Sequence, residues 1–217
     1  MTGDTRAYYS ARAPEYDRIY TKPERQNDLR AMQRWLPAQL SGRRILELAC
    51  GTGYWTQFVA PVARRIVAID AAPEPLEIAR TRVPEYGRAN FLLGDAYRVS
   101  SDIGAFDAAF AGFWFSHVPH SRRREFLLHL NERLEPGSPV VLFDNLFVEG
   151  SSTPIAERDD EGNTYQIRAL DNGTVHRVLK NFPTEPELLA LVAAVGGDGR
   201  YTGWHYYWGL TYVTPFR

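Results

Sequence analysis

The sequence predicts an α/β fold, a mostly parallel sheet covered by helices on both faces. Three observations point to it. Short apolar runs alternate with helical patterns along most of the chain, the rhythm of parallel strands joined by crossover helices. The first clear run, RRILELA from Arg43 to Ala49, holds Ile45, Leu46 and Leu48 in close succession, which suits a central strand buried on both faces. It feeds straight into the glycine-rich turn Cys50-Gly51-Thr52-Gly53 and then a helical pattern, the place where open α/β sheets bind ligands.

The remaining elements follow in order. A helix is expected from about Tyr54 to Val62, a second strand from Arg65 to Ile69 ending at Asp70, and a helix opened by Pro73 and Pro75 and stopped by Pro84. Ala89 to Leu93 and Ala105 to Phe110 read as the third and fourth strands. Ser121 is a candidate N-cap for a helix ending near Leu134, with Phe126, Leu127, Leu130 and Leu134 on one face. Arg122, Arg123 and Arg124 occupy its first turn, where the helix dipole disfavours cations, so a solvated helix end is expected there. Pro139 to Asp144 is the fifth strand. Glu149 to Gly173 is polar and reads as an irregular excursion over the active-site edge, followed by a sixth strand from Thr174 to Lys180. Thr184-Glu185-Pro186-Glu187 has capping-box spacing and opens a helix that stops at Gly196-Gly197. Trp204 to Val213 alternates at period two as the last strand.

Composition narrows the function. The chain has 217 residues, enough for a single domain with one sizeable core, with residues 1–40 as an N-terminal helical part, 41–146 as the binding core and 147–217 as the excursion and closing strands. A net charge of −1 argues against a nucleic acid partner. No apolar run approaches the roughly 18 residues of a membrane span, and the N-terminus lacks the apolar stretch of a signal peptide, so a cytoplasmic location is expected. Cys50 is the single cysteine and no histidines show metal-ligand spacing, so neither a disulfide nor a metal is expected.

The chemistry concentrates at three strand ends. Gly51 and Gly53 let the backbone turn tightly and approach a ligand. Asp70, at the next strand end, can accept both hydroxyls of a ribose. Asp95, after the third strand, can accept the amino group of adenine. A nicotinamide dehydrogenase shares this architecture, but its G-x-G-x-x-G fingerprint would need a glycine where Thr56 stands. A non-catalytic nucleoside-binding protein would keep the same pocket.

The segments ELACGTG (47–53), VAID (67–70), LLGDA (92–96), FDAAFAGFWFSHVP (106–119) and LEPGSPVVLFD (134–144) resemble the class I S-adenosylmethionine-dependent methyltransferases. The resemblance covers about residues 8–145. It implies a Rossmann-like three-layer sandwich with a seven-stranded sheet whose last strand is antiparallel, and S-adenosyl-L-methionine as cofactor. It places Glu47, Ala49 and Gly51 at the methionine side, Gly53 on the cofactor-binding turn, Asp70 on the ribose, Ala71, Asp95 and Ala96 at the adenine, and Ala111 along the pocket. It also implies a lid in which Arg12 and Tyr16 meet the cofactor and Tyr20 meets the acceptor. Beyond strands four and five, Phe113, Trp114 and Asn145 are candidates to hold a small acceptor, aromatic or heteroaromatic, methylated on oxygen or nitrogen. His117 is the candidate general base, since imidazole titrates near neutral pH.

Overall fold

The computed structural model describes residues 3–83 and 88–216. The chain opens with α1 (Gly3–Arg12), a 3₁₀ segment over Ala13–Tyr20, and α2 (Gln26–Leu40). The core then alternates: β1 (Arg44–Leu48), α3 (Thr56–Val59), β2 (Arg65–Asp70), α4 (Pro73–Arg82), β3 (Ala89–Leu93), β4 (Ala108–Gly112), α5 (Arg123–Glu132) and β5 (Pro139–Asn145). There follow β6 (Glu157–Arg158), β7 (Thr164–Ala169), β8 (Val175–Leu179), α6 (Glu185–Ala193), β9 (Asp198–Gly203) and β10 (Tyr207–Val213).

Seven strands form the main sheet in the order β3-β2-β1-β4-β5-β10-β9. The first five are parallel, and β10 runs antiparallel to both β5 and β9. The apolar run of β1 explains its central place. Leu46 and Leu48 pack with Val67, Ile69 and Leu142 on one face, and Ile45 packs with Ile66, Ala108 and Phe110 on the other. Leu29, Met32, Leu36 and Leu40, at helical spacing on α2, cover that second face. Among the described residues no helix is long and apolar enough to cross a membrane.

Several expectations need correction. Thr174 to Lys180 is not a strand of the main sheet. As β8 it pairs with β7 in a separate three-stranded sheet, β6-β7-β8, so the excursion is folded rather than irregular. The sixth strand of the main sheet in chain order is instead β9, which lies at the sheet's edge and whose polar, glycine-rich DGRYTG sequence pairs on one side only, with β10. The helix expected over 54–62 is a single turn, and β10 begins at Tyr207 rather than Trp204. Ser121 lies inside a 3₁₀ turn and bonds Glu161 instead of capping α5, while Arg123 is buried over the Phe115 ring rather than solvated. The capping box at Thr184 and Glu187 forms as its spacing requires. Pro84, the expected stop of α4, lies outside the described residues.

Candidate active site

The order of the sheet reverses between β1 and β4, and the crevice at their carboxyl ends is where such a sheet binds ligands. Two non-glycine residues there hold left-handed backbone conformations, Ala49 after β1 (φ 51°) and Phe113 after β4 (φ 58°), the kind of local strain that clusters at functional sites. The turn at Ala49 aims the Gly51 N–H at the carboxylate of Asp70, 2.8 Å away, while the Ala72 N–H donates to its other oxygen at 3.0 Å. Burial raises the Asp70 pKa against the opposing pull of these two amides. Gly53 has a packing reason. A Cβ there would lie 3.0 Å from the Cβ of Ala79, so glycine lets α4 close on the loop. Thr56 also has a reason to replace the third fingerprint glycine. Its hydroxyl donates to Glu47 at 2.8 Å, beneath the loop.

A cavity of about 40 Å³ lies at this turn. Ala49, Gly51, Asp70 and Trp114 line it, and Tyr9, Ala13 and Tyr16 of the N-terminal segment close it. The Trp114 indole N–H is buried with no hydrogen-bond partner among the described residues. Asp95 follows β3 and accepts from the Tyr97 N–H at 3.0 Å, and Ala96 is buried beside it. Ala71 is half-buried between Asp70 and Ala72, and Ala111 is fully buried in β4 beside Gly112. Glu47 is sealed behind the loop rather than among these lining residues.

A second cavity, about 440 Å³, adjoins the first and shares Tyr9, Tyr16, Phe113 and His117 with it. The N-terminal segment, the residues after β5 and the small sheet wall it. His117 stands at the junction with both ring nitrogens engaged. Its Nδ1 faces the Leu179 carbonyl at 2.5 Å and its Nε2 faces the Tyr9 hydroxyl at 2.7 Å. A carbonyl only accepts, so Nδ1 carries the hydrogen and Tyr9 donates to Nε2. Burial, with the Lys180 charge nearby, holds the His117 pKa well below its usual value.

Asn145 lines the chamber and accepts from Arg25 at 3.0 Å. Arg12 lies over the Tyr16 ring, 5.2 Å from its centroid, on the chamber side. Trp114 lines the smaller cavity rather than the larger chamber. Tyr20 faces neither; it stacks on Tyr54, ring centroids 3.6 Å apart, and accepts from the Trp55 indole. The reading from sequence misses Arg25, Arg168 and Lys180, which come to the chamber from three distant segments. The one available signal was the alternation of Gln166 and Arg168 in TYQIRA, which puts both on the same face of β7.

The sequence model of a methyltransferase domain matches residues 45–137. The chain is 32% identical over 130 residues to a demethylmenaquinone methyltransferase of Lactococcus lactis subsp. lactis (strain IL1403), covering 55% of this chain and 49% of that one. It is 31% identical over 181 residues to a demethylmenaquinone methyltransferase of Clavibacter sepedonicus, covering 82% and 71%. The match thus spans about half of the first relative's length and over two thirds of the second's. In fold the chain is similar to the solved DhpI-SAH complex, with a TM-score of 0.81 and 27% identity over 99% of this chain and 97% of that one. With the glycine turn, the strand-end carboxylates and the seven-stranded sheet in place, the chain belongs to the S-adenosylmethionine-dependent methyltransferases.

Proposed function

We propose that the chain carries a methyl group from S-adenosylmethionine to an oxygen or nitrogen atom of a small molecule held in the larger chamber. The observation that carries this reading is the junction of the two cavities, where Tyr9, Tyr16, Phe113 and His117 line both. The residues present fit the cofactor. Asp70 offers a buried carboxylate at the cavity wall, and Trp114 offers a buried N–H without a protein partner. In this reading Asp70 accepts the ribose hydroxyls, Asp95 and the Ala96 N–H read the adenine edge beside Ala71, and Ala49 and Gly51 border the methionine side. Glu47 and Gly53 support that border from beneath, and Ala111 backs the pocket floor.

The bound sulfonium supplies an electrophilic methyl carbon. What remains for the protein is alignment and exclusion of water. The three rings of the junction provide both, with Tyr9 held in place by its hydrogen bond to His117. The rings also suit a planar acceptor. Removing Asp70 tests the cofactor assignment directly. Asp70→Ala should weaken binding of S-adenosylmethionine and of its demethylated product by about ten- to hundredfold in calorimetry, the worth of hydrogen bonds to a charged acceptor. Unchanged affinity would reduce Asp70 to a turn residue. Turnover with labelled donor and a metabolite extract separates an enzyme from a protein that merely binds the cofactor.

A further inference from the structure

The chamber is far more cationic than the chain that builds it. The whole sequence carries a net charge of −1, yet Arg12, Arg18, Lys22, Arg25, Arg168 and Lys180 all line this cavity, against one carboxylate, Glu15, among its described lining residues. Two of these cations are neutralised by the protein. Arg18 pairs with Glu15 and Asp171, and Lys180 pairs with Asp144 at 2.6 Å.

The other four make no direct ion pair, although the exposed Glu24 lies close enough to act on Lys22 and Arg25. Arg25, 5% exposed, gives its guanidinium to the Ser151 hydroxyl and the Asn145 amide oxygen, both neutral acceptors. Arg168 donates from Nε and Nη2 to the Gln166 amide oxygen at 3.1 and 2.6 Å. Lys22 donates to the Ser151 carbonyl, and Arg12 lies over the rings of Tyr8 and Tyr16. The exposed Glu24 accepts from the Ser151 hydroxyl. Among the described residues, no carboxylate oxygen comes within 4.0 Å of Arg12, Lys22, Arg25 or Arg168. Cations withdrawn from water without a counter-charge are costly, and inside a walled cavity they focus a field that draws in an anion. Guanidinium forks match the oxygens of carboxylates and phosphonates.

A second observation concerns the acceptor atom. A hydroxyl must shed a proton to attack a methyl carbon, and the imidazole at the junction has no free lone pair to take it. Nδ1–H donates to Leu179 and Nε2 accepts from Tyr9. An oxyanion already carries its nucleophilic lone pair and needs no base.

We propose that the acceptor is a small oxyanion, a carboxylate or a phosphonate, held by Arg12, Arg25 and Arg168, and that its own anionic oxygen takes the methyl group. The inference rests on the methyltransferase reading above. The oxygen lone pair forms the O–CH₃ bond as the S–CH₃ bond breaks. The bonding pair stays on sulfur, the sulfonium becomes a neutral thioether, the anion becomes an ester, and no proton moves.

The test is calorimetry on the full chain saturated with demethylated cofactor, using benzoate, phenylphosphonate and uncharged benzamide as probes. At least one anion should bind about tenfold more tightly than benzamide, and Arg168→Gln should erase most of that preference without changing affinity for the demethylated cofactor. Arg168→Lys should restore part of it. Labelled donor then distinguishes the sources. A carboxylate methyl ester releases methanol in mild alkali, and a phosphonate monoester does not. Benzamide binding as tightly as both anions, or an anion preference that survives both Arg168→Gln and Arg12→Gln, would overturn the proposal. Failure of the wild-type chain to bind the demethylated cofactor would instead sink the methyltransferase reading itself.

Discussion

A carboxyl group sealed beneath a backbone loop must either find a counter-charge or give up its own. Glu47 takes the second course. It is 2% exposed, its bonded partner is the Thr56 hydroxyl, and desolvation pushes its pKa up to about 8, with the Asp70 charge adding to the effect. The folded chain therefore holds a proton that the unfolded chain releases near pH 4.5. Where the native state binds more protons, stability falls as pH rises, here between about 4.5 and 8. Glu47→Gln keeps an oxygen for Thr56 and removes the titration. It should raise stability by as much as about 4 kcal/mol at pH 8 and by under about 1 kcal/mol at pH 5, read from denaturant unfolding at each pH. An equal gain at both values would show that Glu47 is ionised in the native state. Glu47 also shows what a motif reveals and hides. The ELACGTG pattern locates the turn, but the same letters do not tell whether the acid faces the ligand or supports the loop, because Thr56 decides that through a hydrogen bond formed in the folded chain.

At the scale of elements, the N-terminal segment is a part whose ring contacts sequence spacing exposes well. The tyrosines at positions 9, 16 and 20 do meet edge to face, with ring centroids 5.9 and 6.2 Å apart. Its fastening was not legible, because it joins three segments. Asp17 accepts from the Thr52 hydroxyl at 2.6 Å and pairs with Arg82, which also donates to the Thr52 carbonyl at 2.8 Å. Arg82 lies in the last turn of α4, where a cation meets the negative end of the helix dipole. This latch ties the segment to the glycine loop. The cavity beneath is about 40 Å³, against the roughly 300–1,000 Å³ that small-molecule sites enclose, so the segment is expected to open for cofactor entry and to reclose over the bound nucleoside. Without cofactor, Asp17→Ala should speed amide exchange across residues 8–20 by about two- to fivefold, the worth of a partly exposed ion pair. Demethylated cofactor should slow exchange there in the wild type. Identical exchange in both proteins would mean that the stacking of Tyr20 on Tyr54 holds the segment and the latch contributes nothing.

For the whole molecule, legibility follows from how local the determinants are. The five parallel strands announce themselves because each is apolar within a few residues and its neighbours follow in order. The small sheet does not, since β7 and β8 pair over a chamber rather than a core, and Gln166 and Arg168 face inward where an apolar pattern would have been the signal. What joins this sheet to the main one is equally non-local. Lys180, just after β8, reaches Asp144 of β5 at 2.6 Å and the Ser116 hydroxyl at 2.7 Å, and the Asn181 N–H donates to the Ser116 carbonyl at 2.8 Å. Burial lowers Lys180 to about 8, and the ammonium beside Asp144 holds that carboxyl below its usual range, so the pair is ionised at pH 7. Asp144 is fully buried, and removing its cation leaves an uncompensated charge between the two sheets. Lys180→Met should therefore cost about 3–5 kcal/mol of unfolding free energy at pH 7. Lys180→Met combined with Asp144→Asn removes both charges and keeps one amide oxygen as acceptor for either the Ser116 or the Asn145 N–H, which donate to different oxygens of Asp144. The double variant should recover at least about half of the loss, a coupling expected of residues in direct contact. Denaturant midpoints at constant slope measure it. If the single change costs under about 1 kcal/mol, the small sheet is held by its backbone bonds and not by this pair.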